Sequence, residues 1–234
     1  MTYNYQPPLI SHTLRERLKD FHYKEKLRKI NNKLIFIHIP KCGGTYLRSQ
    51  LKNNLNVYID DWHEIKLNHL SKTQRAIICL RDPIKRFESA FYSKLHMKDK
   101  LNIREADMYR RYPDVNVFVK ELKSDPKNVQ RYCWKNREVP MLSRYSRLSY
   151  WFSSIQHLEK TKSKILNIIR TEYIEEDLKE IYDLFGVIPE RHEWDKNKKP
   201  ISGYATLTKT NIIFLRDYLS EEYKIYNHLL SNFK

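Results

Sequence analysis

Two segments of the chain carry residue types suited to holding an anion. The first is IFIHIPKCGGTYLRSQL, residues 35–51, an apolar run, a glycine-containing turn and then residues at helical spacing. Backbone N–H groups at a helix N-terminus converge on an anion, and the helix dipole adds attraction. Glycines let the backbone come close to the ligand. Lys41 adds a full positive charge and Thr45 a hydroxyl donor. The GxxxxGK[ST] spacing of a Walker loop is absent, so this is a phosphate-binding device of another kind. The second segment is AIICLRDPIKRFESAFY, residues 76–92. There Arg81 ends an apolar run, and its guanidinium can fork two N–H bonds onto a phosphate or carboxylate. Ser89 follows two turns into the next helix. Between the two segments, DDWHEIKLNHL (60–70) brings Asp61, His63, Glu64 and His69, groups able to take a proton.

These residues need elements to position them. LIFIHI (34–39) and AIICL (76–80) read as buried strands, and NVYID (56–60) as a further one. A helix is expected from Thr45 to about Leu55, with Leu47, Leu51 and Leu55 four apart. Asp82 as N-cap and Pro83 at the first helical position start another helix, running to about Met97. Residues 64–72 look like a short helix opened by His63, and 114–124 has helical patches. KILNIIR (164–170) is a strand, followed by a helix from Ile174 to Phe185 that Gly186 ends. Residues 190–206 form a polar loop and the last 28 residues two helices. At the front, residues 12–30 have helical spacing, with Leu14, Leu18, Phe21 and Leu27 on one side. Strands alternating with helices argue for an α/β fold: a P-loop-like three-layer domain whose central parallel sheet of four or five strands is flanked by helices. Residues 1–32 are expected to form an N-terminal helical extension and 33–234 one domain.

With 41% apolar and 13% aromatic residues, the chain of 234 is too apolar for disorder and large enough for one core. Its longest apolar run is far short of the ~20 residues of a membrane span, and MTYNYQPPLISHTLRERLKD has no secretory pattern. A soluble, cytoplasmic-type protein is the expectation. Cys42, Cys79 and Cys133 lie far apart with no CxxC pair, so neither a zinc site nor a disulfide framework is implied. The net charge of +16 favours anionic ligands: a nucleic acid, a phosphorylated cofactor or an acidic polysaccharide. No helix-turn-helix, zinc or RNP-type signature supports the first of these.

HIPKCGGTYL (38–47) resembles the 5′-phosphosulfate loop of sulfotransferases that use 3′-phosphoadenosine-5′-phosphosulfate (PAPS), and LRDPIKRFESAFY (80–92) their 3′-phosphate motif, RDPxxRxxSxxY. The closest likeness is to the carbohydrate group that includes the heparan and chondroitin/dermatan uronyl 2-O-sulfotransferases. The segment 164–187 also resembles the family's strand–Glu–helix. The resemblance implies a PAPS donor, a hydroxyl acceptor and no metal. It implies that Lys41 stabilises the leaving bridge oxygen. The loop Cys42, Gly43, Gly44, Thr45 and Tyr46 would hold the 5′-phosphate, and Arg81 and Ser89 the 3′-phosphate. Cys42 stands where the family often has Thr, and its contribution there is a backbone N–H.

Sulfuryl transfer then needs a base, and His63 is the choice, because it follows a strand and reaches the sheet's carboxyl edge. The 2-O-sulfotransferase group also has a histidine at about this distance before its RDP motif. Glu64 is the second candidate. His38 reads as a hydrogen-bonded core histidine. Arg131, Arg137, Arg144 and Arg147, in an aromatic, basic stretch, would suit an acidic saccharide, and Lys198 and Lys199 occupy the place of a basic loop over the cofactor. Alternatives are the same donor chemistry on a tyrosine or small alcohol and, more remotely, a non-enzymatic nucleic-acid binder.

Overall fold

The structure is a computed structural model, and it describes residues 14–31, 33–60, 63–95, 101, 103–133, 147–189 and 205–233. Four strands form one sheet: β1 (Leu34–Ile37), β2 (Val57–Ile59), β3 (Arg75–Leu80) and β4 (Ile165–Arg170). The order is β2-β1-β3-β4 and every pairing is parallel. β1 and β3 read as continuous apolar runs because both their faces are covered. The helices are α1 (Leu14–Arg28), α2 (Gly44–Asn54), α3 (Pro83–Leu95), α4 (Ile103–Arg111), α5 (Val115–Ser124), α6 (Pro126–Cys133), α7 (Leu148–Phe152), α8 (Ile155–Thr161), α9 (Ile174–Phe185), α10 (Lys209–Tyr218) and α11 (Ser220–Phe233). The fold class is therefore the expected one: a parallel sheet flanked by helices.

Local chemistry sets the boundaries. Asp82 Oδ1 accepts from the N–H groups of Ile84 and Lys85, each at 3.0 Å, and caps α3 ahead of Pro83. Asp114 caps α5 in the same way. Gly186 takes a left-handed conformation, φ 63°, and ends α9. The main core surrounds the sheet, and a second cluster gathers Phe87, Phe91, Tyr109, Phe118 and Leu215 between α3, α4, α5 and α10.

Two expectations fail. The helix expected over 64–72 is only a 3-10 turn, Leu67–His69, and His63 lies ahead of it in a bend. Ile65, Leu67 and Leu70 are buried, but Glu64, Lys66 and His69 between them are also turned inward, to partners on α1, so the segment cannot keep the polar outer face of a surface helix. The apolar side expected on α1 is not buried: Leu18 is 60% and Phe21 64% exposed, and Leu27 alone of the described members reaches the core.

Because the strands are parallel, the segments that follow them leave at one edge of the sheet. Residues 38–43 after β1, Asp60 and residues 63–66 after β2, Arg81 and Asp82 after β3 and the 3-10 turn Thr171–Tyr173 after β4 all emerge there. Ligands of open α/β sheets bind at this carboxyl edge.

Candidate functional site: the carboxyl edge of the sheet

The loop between β1 and α2 is pinned by its carbonyls. Arg86 Nε donates to Pro40 O at 3.0 Å, Arg81 donates to Lys41 O at 3.4 Å, and the Cys79 thiol donates to Cys42 O. No peptide bond here is cis. In a trans peptide the N–H lies opposite the C=O. The amides of Lys41, Cys42 and Gly43 therefore face away from β3 and α3. The first amides of α2 follow directly, and they have no intrahelical acceptor. The result is a run of backbone donors aimed to one side, as an anion site requires.

Two backbone conformations make this loop possible. Lys41 has φ 68° and Gly43 φ 74°. A side chain at Gly43 would also crowd Ile174, whose Cδ1 would lie 3.2 Å from the added Cβ. Lys41 is not glycine, and a left-handed non-glycine residue costs about 1–3 kcal/mol where the surroundings enforce it. Among the described residues, the non-glycine residues with positive φ are Lys41, His63 and Ser153. Lys41 and His63 are both expected catalytic residues.

Gly44 opens α2 beneath the His38 ring. A Cβ there would fall 1.9 Å from His38 Nε2. His38 is half-buried, and burial, then the charges of His63, Arg48 and Lys41, push its pKa down to about 3. It is a neutral ring packed over the loop. His63 lies against it, with ring centroids 3.9 Å apart and Nδ1 3.0 Å from His38 O. A carbonyl only accepts, so Nδ1 holds the proton and Nε2 the lone pair.

Glu64 is turned elsewhere. It accepts from Lys19 Nζ at 3.2 Å and from Tyr150 O–H at 2.8 Å. Thr45 is exposed, and Tyr46 O–H donates to Glu175 Oε1 at 2.5 Å. Burial, then that carboxylate, raises the Tyr46 pKa. Arg81 forms an ion pair of 3.8 Å with Glu172, yet its buried Nε has no hydrogen-bond partner. Ser89 is half-buried on α3. Lys198, Lys199, Asp61, Arg137 and Arg144 lie outside the described residues, as does the side chain of Arg131. Arg147 stacks its guanidinium over Tyr218, 5.3 Å from the ring centroid. His69 is a buried, hydrogen-bonded residue.

The structure adds residues that sequence reasoning missed. Arg86, 2% exposed, joins Pro40 O to the buried Glu222 of α11 through a 3.6 Å ion pair. Arg86 stands inside the second motif, so its position there was a usable signal. Glu172 stands in the strand–Glu–helix segment, and Cys79 had no signal. A concavity lined by Arg111, Tyr112, Lys120, Glu121 and Asn128 lies among α4–α6 and includes none of these loop residues. Among the described residues no group of three His, Cys, Asp or Glu side chains is gathered to hold a metal ion, and no helix is long and apolar enough to cross a membrane.

A parallel sheet whose carboxyl edge presents a donor-lined loop, a lysine and an arginine is an arrangement able to hold an anionic group. The sulfotransferase family matches residues 26–227, and the chain belongs to it. No curated protein and no solved structure matches significantly.

Proposed function

We propose that the protein transfers the sulfuryl group of PAPS to a hydroxyl of a carbohydrate acceptor, with His63 as the base. The donor reading rests on one observation: Arg81, at the end of β3, reaches the carbonyl of Lys41 in the β1–α2 loop at 3.4 Å. The two anion-binding motifs are thereby neighbours at one sheet edge. Arg81, whose Nε faces Glu172 at 3.8 Å without a hydrogen bond, supplies a guanidinium suited to a donor that carries a second phosphate.

In this reading Lys41, Cys42, Gly43, Gly44, Thr45 and Tyr46 hold the 5′-phosphosulfate, and Arg81 and Ser89 hold the 3′-phosphate. Lys198 and Lys199 would join them. The acceptor oxygen forms its bond to sulfur as the bond from sulfur to the bridging phosphate oxygen breaks. The acceptor's proton passes to His63 Nε2, Lys41 balances the charge that grows on the bridging oxygen, and adenosine 3′,5′-bisphosphate leaves. As in phosphoryl transfer, positioning and charge stabilisation carry most of the rate. Glu64 is the alternative base, but its bonds to Lys19 and Tyr150 favour His63.

The uronyl 2-O branch is part of the proposal. So is the carbohydrate acceptor, supported by the net charge of +16, which draws an acidic polymer. The test is incubation with sulfur-labelled PAPS and three acceptor sets: desulfated uronate-containing polysaccharides, tyrosine peptides and small alcohols. Label on the polysaccharide is expected. Label confined to the peptide or alcohol would keep the donor chemistry and overturn the acceptor.

A further inference from the structure

The loop that carries His63 is fastened by a helix that mostly precedes the family match. Lys19 Nζ donates to Glu64 Oε1 at 3.2 Å, and Lys26 Nζ to Asp60 Oδ1 at 3.4 Å. Lys66 Nζ donates to Asp20 Oδ1 at 2.8 Å, and His69 Nε2 lies 3.0 Å from the same oxygen. A carboxylate only accepts, so His69 keeps its proton on Nε2. Its Nδ1 then accepts from the backbone N–H of Lys66, at 3.2 Å. Tyr23 of α1 stacks on the His69 ring with centroids 5.8 Å apart.

The other side of the loop is closed from α7. Tyr150 O–H donates to Glu64 Oε2 at 2.8 Å, and its ring receives Lys66 Nζ at 4.2 Å from the centroid. Asp60 Oδ2 accepts from the N–H of Glu64 at 3.2 Å. Asp60, Glu64, Lys66 and His69 are each less than 8% exposed. Buried polar groups of this kind hold one geometry when every partner is present and are costly when one is removed.

Leu27 and the half-buried Tyr23 tie α1 to the core, while Leu18 and Phe21 face solvent. Its polar side chains meet the loop. Burial alone would raise the Asp20 pKa, but the hydrogen bonds from His69 and Lys66, with the Lys66 charge, hold it well below the ordinary carboxylate range. Asp20 is a carboxylate committed to this loop. Lys19, Asp20 and Tyr23 all lie before residue 26, where the family match begins.

We propose that α1 is the positioning element of the catalytic base: Asp20 and Lys19 lock Glu64, Lys66 and His69 so that His63 keeps its left-handed backbone and its Nδ1 bond to His38 O. The inference rests on the assignment of His63 as base. It makes Asp20 and Lys19 positioning residues, and it makes the N-terminal helix part of the active site's construction.

The test reads the His63 ring itself. With histidine labelled in nitrogen-15, and the His63 signal assigned by its loss in His63→Gln, the neutral ring of the wild-type protein should be protonated on Nδ1. In Asp20→Ala and in Lys19→Met it should move to the Nε2–H tautomer that prevails in free histidine. Asp20→Asn keeps an acceptor oxygen and should retain the wild-type signature. Adenosine 3′,5′-bisphosphate affinity should stay within about threefold in all of them. Lys19 is on the surface, so Lys19→Met serves if Asp20→Ala does not fold. Persistence of the Nδ1–H form in Asp20→Ala or Lys19→Met, or loss of bisphosphate affinity together with it, would overturn the proposal. An Nε2–H ring already in the wild type would instead strike the assignment of the base.

Discussion

His63 donates its Nδ1 proton to the carbonyl oxygen of His38 across 3.0 Å, and the two imidazole rings lie 3.9 Å apart. The bond selects the tautomer whose Nε2 can accept a proton. Replacing His63 by Ala should lower release of adenosine 3′,5′-bisphosphate from PAPS by about 10²–10⁴-fold. Calorimetric affinity for the bisphosphate should be unchanged. Turnover near the wild-type rate would remove His63 from the reaction.

Gly44 leaves space for the ring that supports His63. An alanine Cβ would meet His38 Nε2 at 1.9 Å, so the ring must move. Gly44→Ala should destabilise the protein by roughly 1–3 kcal/mol, the usual cost of overpacking, and should slow turnover. Trimming the ring in a His38→Ala, Gly44→Ala double variant should recover part of the lost stability, which a double-mutant cycle measures. Strictly additive losses would show that the two residues do not touch.

Arg86 and Glu222 behave as a buried pair that also carries the loop. Burial raises the Glu222 pKa, against the charges of Arg147 and Arg86, and both carboxylate oxygens accept from the N–H of Leu148, at 3.1 and 2.9 Å. Arg86→Ala strands the carboxylate and frees Pro40 O, and should cost about 3–5 kcal/mol in denaturant unfolding. Glu222→Gln keeps an acceptor for Leu148 and should cost less. Equal losses would contradict the pairing.

His38 makes stability depend on pH in a defined direction. Its pKa falls from 6.5 to about 3 in the folded protein. Below pH 6.5 the unfolded chain binds a proton that the folded chain does not, so this contribution is complete above that pH and is lost as pH falls toward 3. Wild type should therefore lose stability on acidification more steeply than His38→Gln, by at most about 1.4 kcal/mol per pH unit. Parallel curves would mean that the ring titrates normally.

The two anion motifs were legible in sequence because their signals are local. An apolar run, a glycine pair and an Asp–Pro helix start each act within a few residues. The bends that hold Lys41 and His63 left-handed have no such signal, since neither residue is glycine. The segment 64–72 misled because Ile65, Leu67 and Leu70 suggest a helix, while the long-range partners of Glu64, Lys66 and His69 decide its shape. α1 misled for the same reason: its apolar spacing pointed to a buried stripe, but Leu18 and Phe21 are exposed, and Lys19, Asp20 and Lys26 hold the helix alongside Leu27. Arg86 and Glu222 lie too far apart in the chain for any local pattern to join them.

The donor site is the central claim, and calorimetric titration with adenosine 3′,5′-bisphosphate tests it most directly, with AMP as control and Arg81→Ala as variant. Charge-assisted bonds to the 3′-phosphate should make the bisphosphate bind about tenfold to a hundredfold more tightly than AMP, and Arg81→Ala should erase most of that difference. Equal affinity for the two nucleotides, or a bisphosphate preference that survives in Arg81→Ala, would contradict the account.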